Sequence, residues 1–444
     1  MNKIKKMPEG NFLKLFFGAV TLAFLVASVC MPDRGTMLSG LWQILSQPSK
    51  ISTNYFAVGG YGATFLNMGL VCAICLLLFV VFKSTPNNVS TLAVILTLGF
   101  SSWGINILNI WPTVFGVMIY GLVKKEKMGT LVNAMLFSTG IAPLITDLMI
   151  RYPLAEAAGF SAAGILLSLL VGFVIGFFLP AGLAFSPKVH KGFDLYSAAL
   201  PIGMTAFFLN AVLYKTLGVD LPAAPPAQTL QVASRLTVNV FCCILFGACI
   251  VVAFVLGCKP KDYWRLLTAP GQVPNFTSAY GNAAFLMNVG VFGLFILAYY
   301  NLIGASFNGV TFGIIFCMLA TCNSGSHPGN VWPILVGYAA ASVVCGWLSQ
   351  LAGGNFAMAV NAQAICVGAC YANGLSPISD KYGWPFGILA GAMHYLLVTS
   401  VPNLHGGYCL YNGGFTAALI CILLIPQLER FAKTKEERNA VKAK

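Results

Sequence analysis

Pro187-x-x-His190-x-Gly192-Phe193-x-Leu195-Tyr196 recurs without a gap as Pro402-x-x-His405-x-Gly407-Tyr408-x-Leu410-Tyr411. Shared hydrophobicity does not reproduce such a mixture of proline, histidine, glycine and aromatic residues, so the chain reads as a duplication. Working outward, Asn67-x-Gly69 pairs with Asn288-x-Gly290, and Asn109-x-Trp111-Pro112 with Asn330-x-Trp332-Pro333, both at a separation of 221 residues. Leu45-x-x-Pro48 after Trp42 returns as Leu267-x-x-Pro270 after Trp264, and Gly140-x-x-Pro143 as Gly374-x-x-Pro377. The first apolar run follows Lys3, Lys5 and Lys6 in the manner of a signal peptide, but it too has a twin. Phe17-Gly18-Ala19 and Cys30-x-Pro32 reappear as Phe246-Gly247-Ala248 and Cys258-x-Pro260. A segment copied into mid-chain marks a retained helix rather than a cleaved leader.

The repeated units are too apolar for water. Of 444 residues, 58% are hydrophobic and 8% charged, which leaves too little polar surface to cover a soluble domain. Stretches such as 15–31, 66–82 and 236–257 are long enough to cross a hydrocarbon core of about 30 Å. The net charge of +13 sits in short loops and at the termini, where it reads as membrane topology and not as a nucleic-acid surface. The lone CxxC, Cys72 and Cys75, lies inside a predicted span with no second pair or nearby histidine, so neither a metal nor another cofactor is expected.

Placing the lysine-rich N-terminus in the cytoplasm and counting crossings puts Lys83, Lys124, Lys125, Lys127, Lys188 and Lys191 on the inside. The first half then crosses an odd number of times and the second begins outside, bringing Lys259, Lys261 and Arg265 inside. On this topology twenty of the 25 Lys and Arg are cytoplasmic. The expected fold is an all-α polytopic membrane protein of two inverted-topology repeats, with about ten full spans plus two re-entrant hairpins, and N-terminus and C-terminus both inside. Fourteen spans is the alternative. Residues 1–215 form the first repeat, 216–233 an extracytoplasmic linker, 234–430 the second repeat and 431–444 a charged cytoplasmic tail. Trp42 and Trp264 mark short interfacial helices on opposite faces.

The hairpins are expected at 89–122 and 310–345, each with a polar, helix-breaking centre. A broken backbone in lipid is tolerated only where it is buried in protein or lines a polar cavity. Two such breaks near the repeat interface can form a substrate site, with Gly104, Asn106, Asn109, Gly325, His327 and Asn330 supplying polar groups, Trp111 and Trp332 apolar walls, and Asn67 and Asn288 in-span amides. The alternative is that these residues kink and glue closely packed helices. His190, Tyr196, His405 and Tyr411 introduce the last helix of each half and are candidates for a gate or mouth, or for helix-entry hydrogen bonding at an aromatic belt. No catalytic residue and no metal ligand is assigned.

The His405-Gly406-Gly407-Tyr408 to Phe415 stretch and the Asn-Ile-Trp-Pro motif at 109–112 resemble a bacterial multi-pass membrane family catalogued as a domain of unknown function. In architecture the chain is loosely similar to inverted-repeat channels for urea and ammonium and to transporters of nucleobases and anions. The resemblance implies a bacterial plasma-membrane protein without naming a substrate. The expected function is transport of a small polar solute or ion, with the lipid bilayer as partner, no nucleic acid, and room for homo-oligomerisation. The rival class is a polytopic enzyme on a lipid-linked substrate, with His327 or His405 as base near Asp380.

Overall fold

The computed structural model describes residues 7–154, 156–223, 232–272, 275–355 and 357–442. Lys3, Lys5 and Lys6, residues 224–231 of the 216–233 linker and the last two residues of the tail lie outside them. Among the described residues all regular structure is helical. In chain order the helices are α1 (Glu9–Cys30), α2 (Met37–Ser46), α3 (Tyr55–Val81), α4 (Asn88–Phe100), α5 (Trp111–Lys124), α6 (Met128–Ser138), α7 (Ala142–Ile150), α8 (Ala162–His190) and α9 (Ala199–Asn210). They continue as α10 (Val232–Val255), α11 (Pro260–Leu267), α12 (Phe276–Tyr280), α13 (Asn282–Leu302), α14 (Gly309–Leu319), α15 (Pro328–Leu351), α16 (Gln363–Ala372), α17 (Ser376–Tyr382), α18 (Trp384–Val398), α19 (Val401–Leu404), α20 (Asn412–Phe431) and α21 (Lys435–Lys442).

Among the described residues eight segments are long and apolar enough to cross a membrane: Glu9–Cys30, Tyr55–Val81, Met128–Ile150, Ala162–His190, Ser234–Val255, Asn282–Leu302, Pro328–Leu351 and Asn412–Ala440. Their exposed leucines, valines and phenylalanines, such as Leu22, Leu166 and Val343, have no counterpart on a soluble surface and suit a lipid one. The other apolar helices are shorter. At about 1.5 Å per residue, the 13 residues of α4 and the 14 of α5 each reach about 20 Å.

Local chemistry sets the breaks. Gly60 interrupts α3 at φ 86° and Gly281 separates α12 from α13 at φ 87°, a conformation that a β-carbon disfavours. These glycines are 221 residues apart, as are the asparagine caps that follow. Asn87 Oδ1 accepts from Ser90 N–H at 3.1 Å to start α4, and Asn308 Oδ1 accepts from Thr311 N–H at 3.0 Å to start α14, each satisfying one orphan donor of a helix N-terminus.

Packing around these breaks is close. α4 crosses α14 where Gly99 meets Gly313: a β-carbon on either would lie 2.6 or 2.3 Å from the other's carbonyl oxygen. Gly116 of α5 nests against Gly172 of α8, and Gly337 of α15 against Ile388 of α18, with equally short clearances. In membranes, where apolar burial gives helices no preference for each other over lipid, such close backbone approach supplies the association energy. A cluster of phenylalanines, Phe24, Phe65, Phe241, Phe312 and Phe316, joins α1, α3, α10 and α14, with ring centroids 4.9–6.1 Å apart. Three backbone hydrogen bonds among the described residues then cross between the halves: Leu195 N–H donates to Gly374 O at 3.1 Å, Leu410 N–H to Gly140 O at 2.9 Å and Ile51 N–H to Gly407 O at 3.0 Å.

Candidate functional site

The in-span asparagines are buried and fully engaged. Asn67 Nδ2 donates to Ser101 O at 2.6 Å and Ile105 O at 2.9 Å, and Asn288 Nδ2 to Cys322 O at 2.9 Å and Ser326 O at 3.0 Å. Each amide closes the turn that follows α4 or α14 by satisfying carbonyls that helix termination leaves open. Within the turns, Asn109 Oδ1 accepts from Asn106 N–H and its Nδ2 donates to Gly104 O, while Asn330 Oδ1 accepts from His327 N–H and its Nδ2 donates to Gly325 O, all at 2.8–3.0 Å.

The two turns are held apart, each against a short helix of its own half. Asn106 Nδ2 lies 3.4 Å from Ile44 O of α2, and His327 Nε2 lies 3.2 Å from Ala269 O just beyond α11. Among the described residues no hydrogen bond joins the asparagines of one turn to those of the other. Trp111 donates its indole N–H to Ile107 O at 2.9 Å, and Trp332 is exposed and stacked on Trp384. Gly104, Asn106, Asn109, Gly325, His327, Asn330, Trp111 and Trp332 are therefore grouped as two separate turns and not as one facing pair.

The gate candidates occupy the crossing between the halves. Tyr196 Oη lies 2.7 Å from Asn373 Oδ1 and 2.8 Å from Cys317 O. Tyr411 is buried against Phe100, 5.0 Å between ring centroids. His190 Nδ1 accepts from Asp194 N–H at 3.3 Å, which leaves its Nε2–H to donate to Ser197 Oγ at 2.8 Å. His405 contacts Asn412 Oδ1 through Nδ1 at 2.7 Å, so the two histidines carry opposite tautomers.

Beside this crossing lies a cavity of 880 Å³. Asn88 and Leu92 of α4, Tyr120 of α5, Asn133 and Phe137 of α6, Leu183 and Ala184 of α8, and Asp194 and Ser197 of the 191–198 link line it, together with Glu126, Gln272 and Ser324. It reaches the face that carries Glu126 and Gly192. Asp194 is 2% exposed. Its Oδ1 accepts from Tyr196 N–H at 2.9 Å, and its Oδ2 has no hydrogen-bond partner among the described residues. The link lies outside the spanning helices, and burial pushes the Asp194 carboxyl up to about 7, since the charged form loses its hydration.

A second buried polar cluster surrounds Lys50, which pairs in the repeat with the cavity residue Gln272. Asp147 and Arg151 form a two-pronged ion pair, both contacts at 2.7 Å. Tyr214 Oη donates to Asp147 Oδ2 at 2.7 Å and lies 3.2 Å from Tyr408 Oη. Lys50 sits 4.9 Å above the Tyr408 ring and donates to Pro222 O. None of these five residues is more than 7% exposed. In the 47–54 loop, desolvation brings the Lys50 amine down to about 8.

A family model described as "Protein of unknown function (DUF1576)" matches residues 34–215 and 259–430. The chain belongs to this family. No curated protein and no solved structure matches it. The two matched ranges of this DUF1576 member each contain one copy of the paired Asn-x-Gly, Asn-x-Trp-Pro and Pro-x-x-His motifs. Asp194 carries no signal in the repeat itself: it occupies an unmatched position of the Pro187–Tyr196 pattern, opposite Cys409. That mismatch between otherwise equivalent stretches is the only trace of it in the sequence.

Proposed function

We propose that the protein is a transporter of a small polar solute or ion, built from two inverted repeats in a bacterial plasma membrane, with its substrate site in the 880 Å³ cavity beside the crossing of the halves. The observation that carries this reading is the asymmetry of the two faces. One has a cavity lined by a buried carboxylate; on the other, Lys50, the repeat partner of the cavity residue Gln272, lies in a buried cluster with Tyr408, Asp147 and Arg151. Inverted repeats that adopt unequal packings at the two faces are the basis of alternating access. The excess of Lys and Arg at Lys124, Lys125, Lys127, Lys188 and Lys191 supports a cytoplasmic opening. The short α4 and α5 support a re-entrant path for that segment.

The enzyme reading draws less support. His327 is held by Ala269 O and His405 by Asn412, and each lies in a turn whose hydrogen bonds serve the fold. The lipid bilayer is the surrounding partner, and the exposed apolar faces leave room for a homo-oligomer.

The test is Asn133→Cys, at the cavity wall, in proteoliposomes of known orientation. A membrane-impermeant thiol reagent should label it above the wild-type background from the Lys124–Lys127 side only. Labelling should lower the flux of a transported solute, found by screening isotopically labelled solutes, at least tenfold. Labelling from the other side, or flux indifferent to the modification, would overturn the proposal.

A further inference from the structure

Asp194 gives the cavity a charge preference. A carboxylate removed from water and left with one unpartnered oxygen is costly, because the lost hydration is not replaced. Neither ion pair among the described residues, Asp147–Arg151 or Lys191–Glu429, includes Asp194. The chain carries 25 Lys and Arg, yet no lysine, arginine or histidine is among the residues lining the cavity, whose two ionisable acids are Asp194 and Glu126. An ionisable side chain buried in a membrane protein without a protein partner points to a ligand or an ion as its partner.

Resting on the reading of this cavity as the transport site, we propose that its substrate is an organic monocation whose positive charge meets Asp194 Oδ2. One deep carboxylate matches one positive charge. The Asn133 Oδ1 atom, also without a partner among the described residues, and Ser324 offer neutral hydrogen-bonding groups. A volume of 880 Å³ is far larger than a bare metal ion and falls within the range of small-molecule pockets, roughly 300–1,000 Å³. Leu92, Phe137 and Leu183 supply apolar wall for a hydrocarbon body.

Thermal unfolding of the purified full chain in detergent, at constant ionic strength, tests this with phenethylammonium and tetraethylammonium chlorides, sodium chloride and sodium benzoate. A saturable rise in melting temperature with an organic cation and none with benzoate is expected. Asp194→Asn, which keeps an oxygen for Tyr196 N–H, should weaken that binding at least tenfold. A second measurement needs no variant: a carbodiimide should modify Asp194 in the wild-type protein, located by peptide mass, and the organic cation should protect it. No stabilisation by either organic cation, an equal rise in the variant, a rise with sodium alone, or modification unaffected by the cation would overturn the inference. Binding without flux would remove the transport reading and leave this one, whereas flux unchanged in Asp194→Asn would do the reverse.

Discussion

At the scale of single residues, the two in-span asparagines do the same work in two places. Each ties down two carbonyls of a turn that lipid cannot solvate. Asn67→Leu and Asn288→Leu should therefore each destabilise the protein by about 2–6 kcal/mol, since each of the two buried carbonyls left unpaired costs about 1–3 kcal/mol; melting curves of the two variants should fall together. Asp194 makes the opposite case. Burial pushes its carboxyl from an ordinary 3.8 up to about 7, so the folded protein resists an ionisation that the unfolded chain undergoes freely. The resulting penalty is absent below about pH 4, grows as pH rises and levels off above 7. The melting temperature gained by Asp194→Asn should be larger at pH 8 than at pH 5, with His190, Tyr196, Cys421 and Glu126 the nearby groups to hold constant. Asn67 and Asn288 were legible because identity and spacing are both repeated. Asp194 was not, because its role depends on what fails to pack against it.

At the scale of elements, glycine decides which helices approach. Gly116→Leu and Gly337→Leu each place a branched side chain where a β-carbon alone would come within 2.3 Å of backbone. Both should abolish the folded, monodisperse protein in size-exclusion profiles, while Gly346→Leu, at a position with nothing within 4 Å, should not. The broken segments were visible in the sequence as polar runs before Trp111 and Trp332, but their placement was not. Whether such a turn faces its twin or rests on α2 or α11 depends on the lengths of α4 and α14 and on the Gly99–Gly313 crossing, and neither leaves a motif. The helix lengths also differ between corresponding places: α5 has 14 residues and α15 has 24, so the pattern of matched residues overstates how alike the two segments are.

At the scale of the whole molecule, the stability of the region around Lys50 rests on charges as well as on packing. Arg151→Met leaves Asp147 buried with only tyrosine partners and should cost about 3–5 kcal/mol, the usual penalty for breaking a buried pair from one side. Glu429→Gln, which removes the ion pair with half-exposed Lys191, should change stability by less than about 1 kcal/mol. Comparing the two melting temperatures checks the difference. Membrane class and the recurrence of contacts could be read from composition and motif spacing, which report on lipid and ancestry. The unequal surroundings of matched residues could not, because they arise from substitutions such as Lys50 against Gln272 and Tyr408 against Phe193 acting through packing.

The crosswise hydrogen bonds of Leu195 with Gly374 and of Leu410 with Gly140 also bear on how the protein is made. During synthesis the 191–198 link emerges long before residue 374 exists, so its final partner is absent when the first half enters the membrane. The ribosome must deliver nearly the whole chain before either half can complete its own interior.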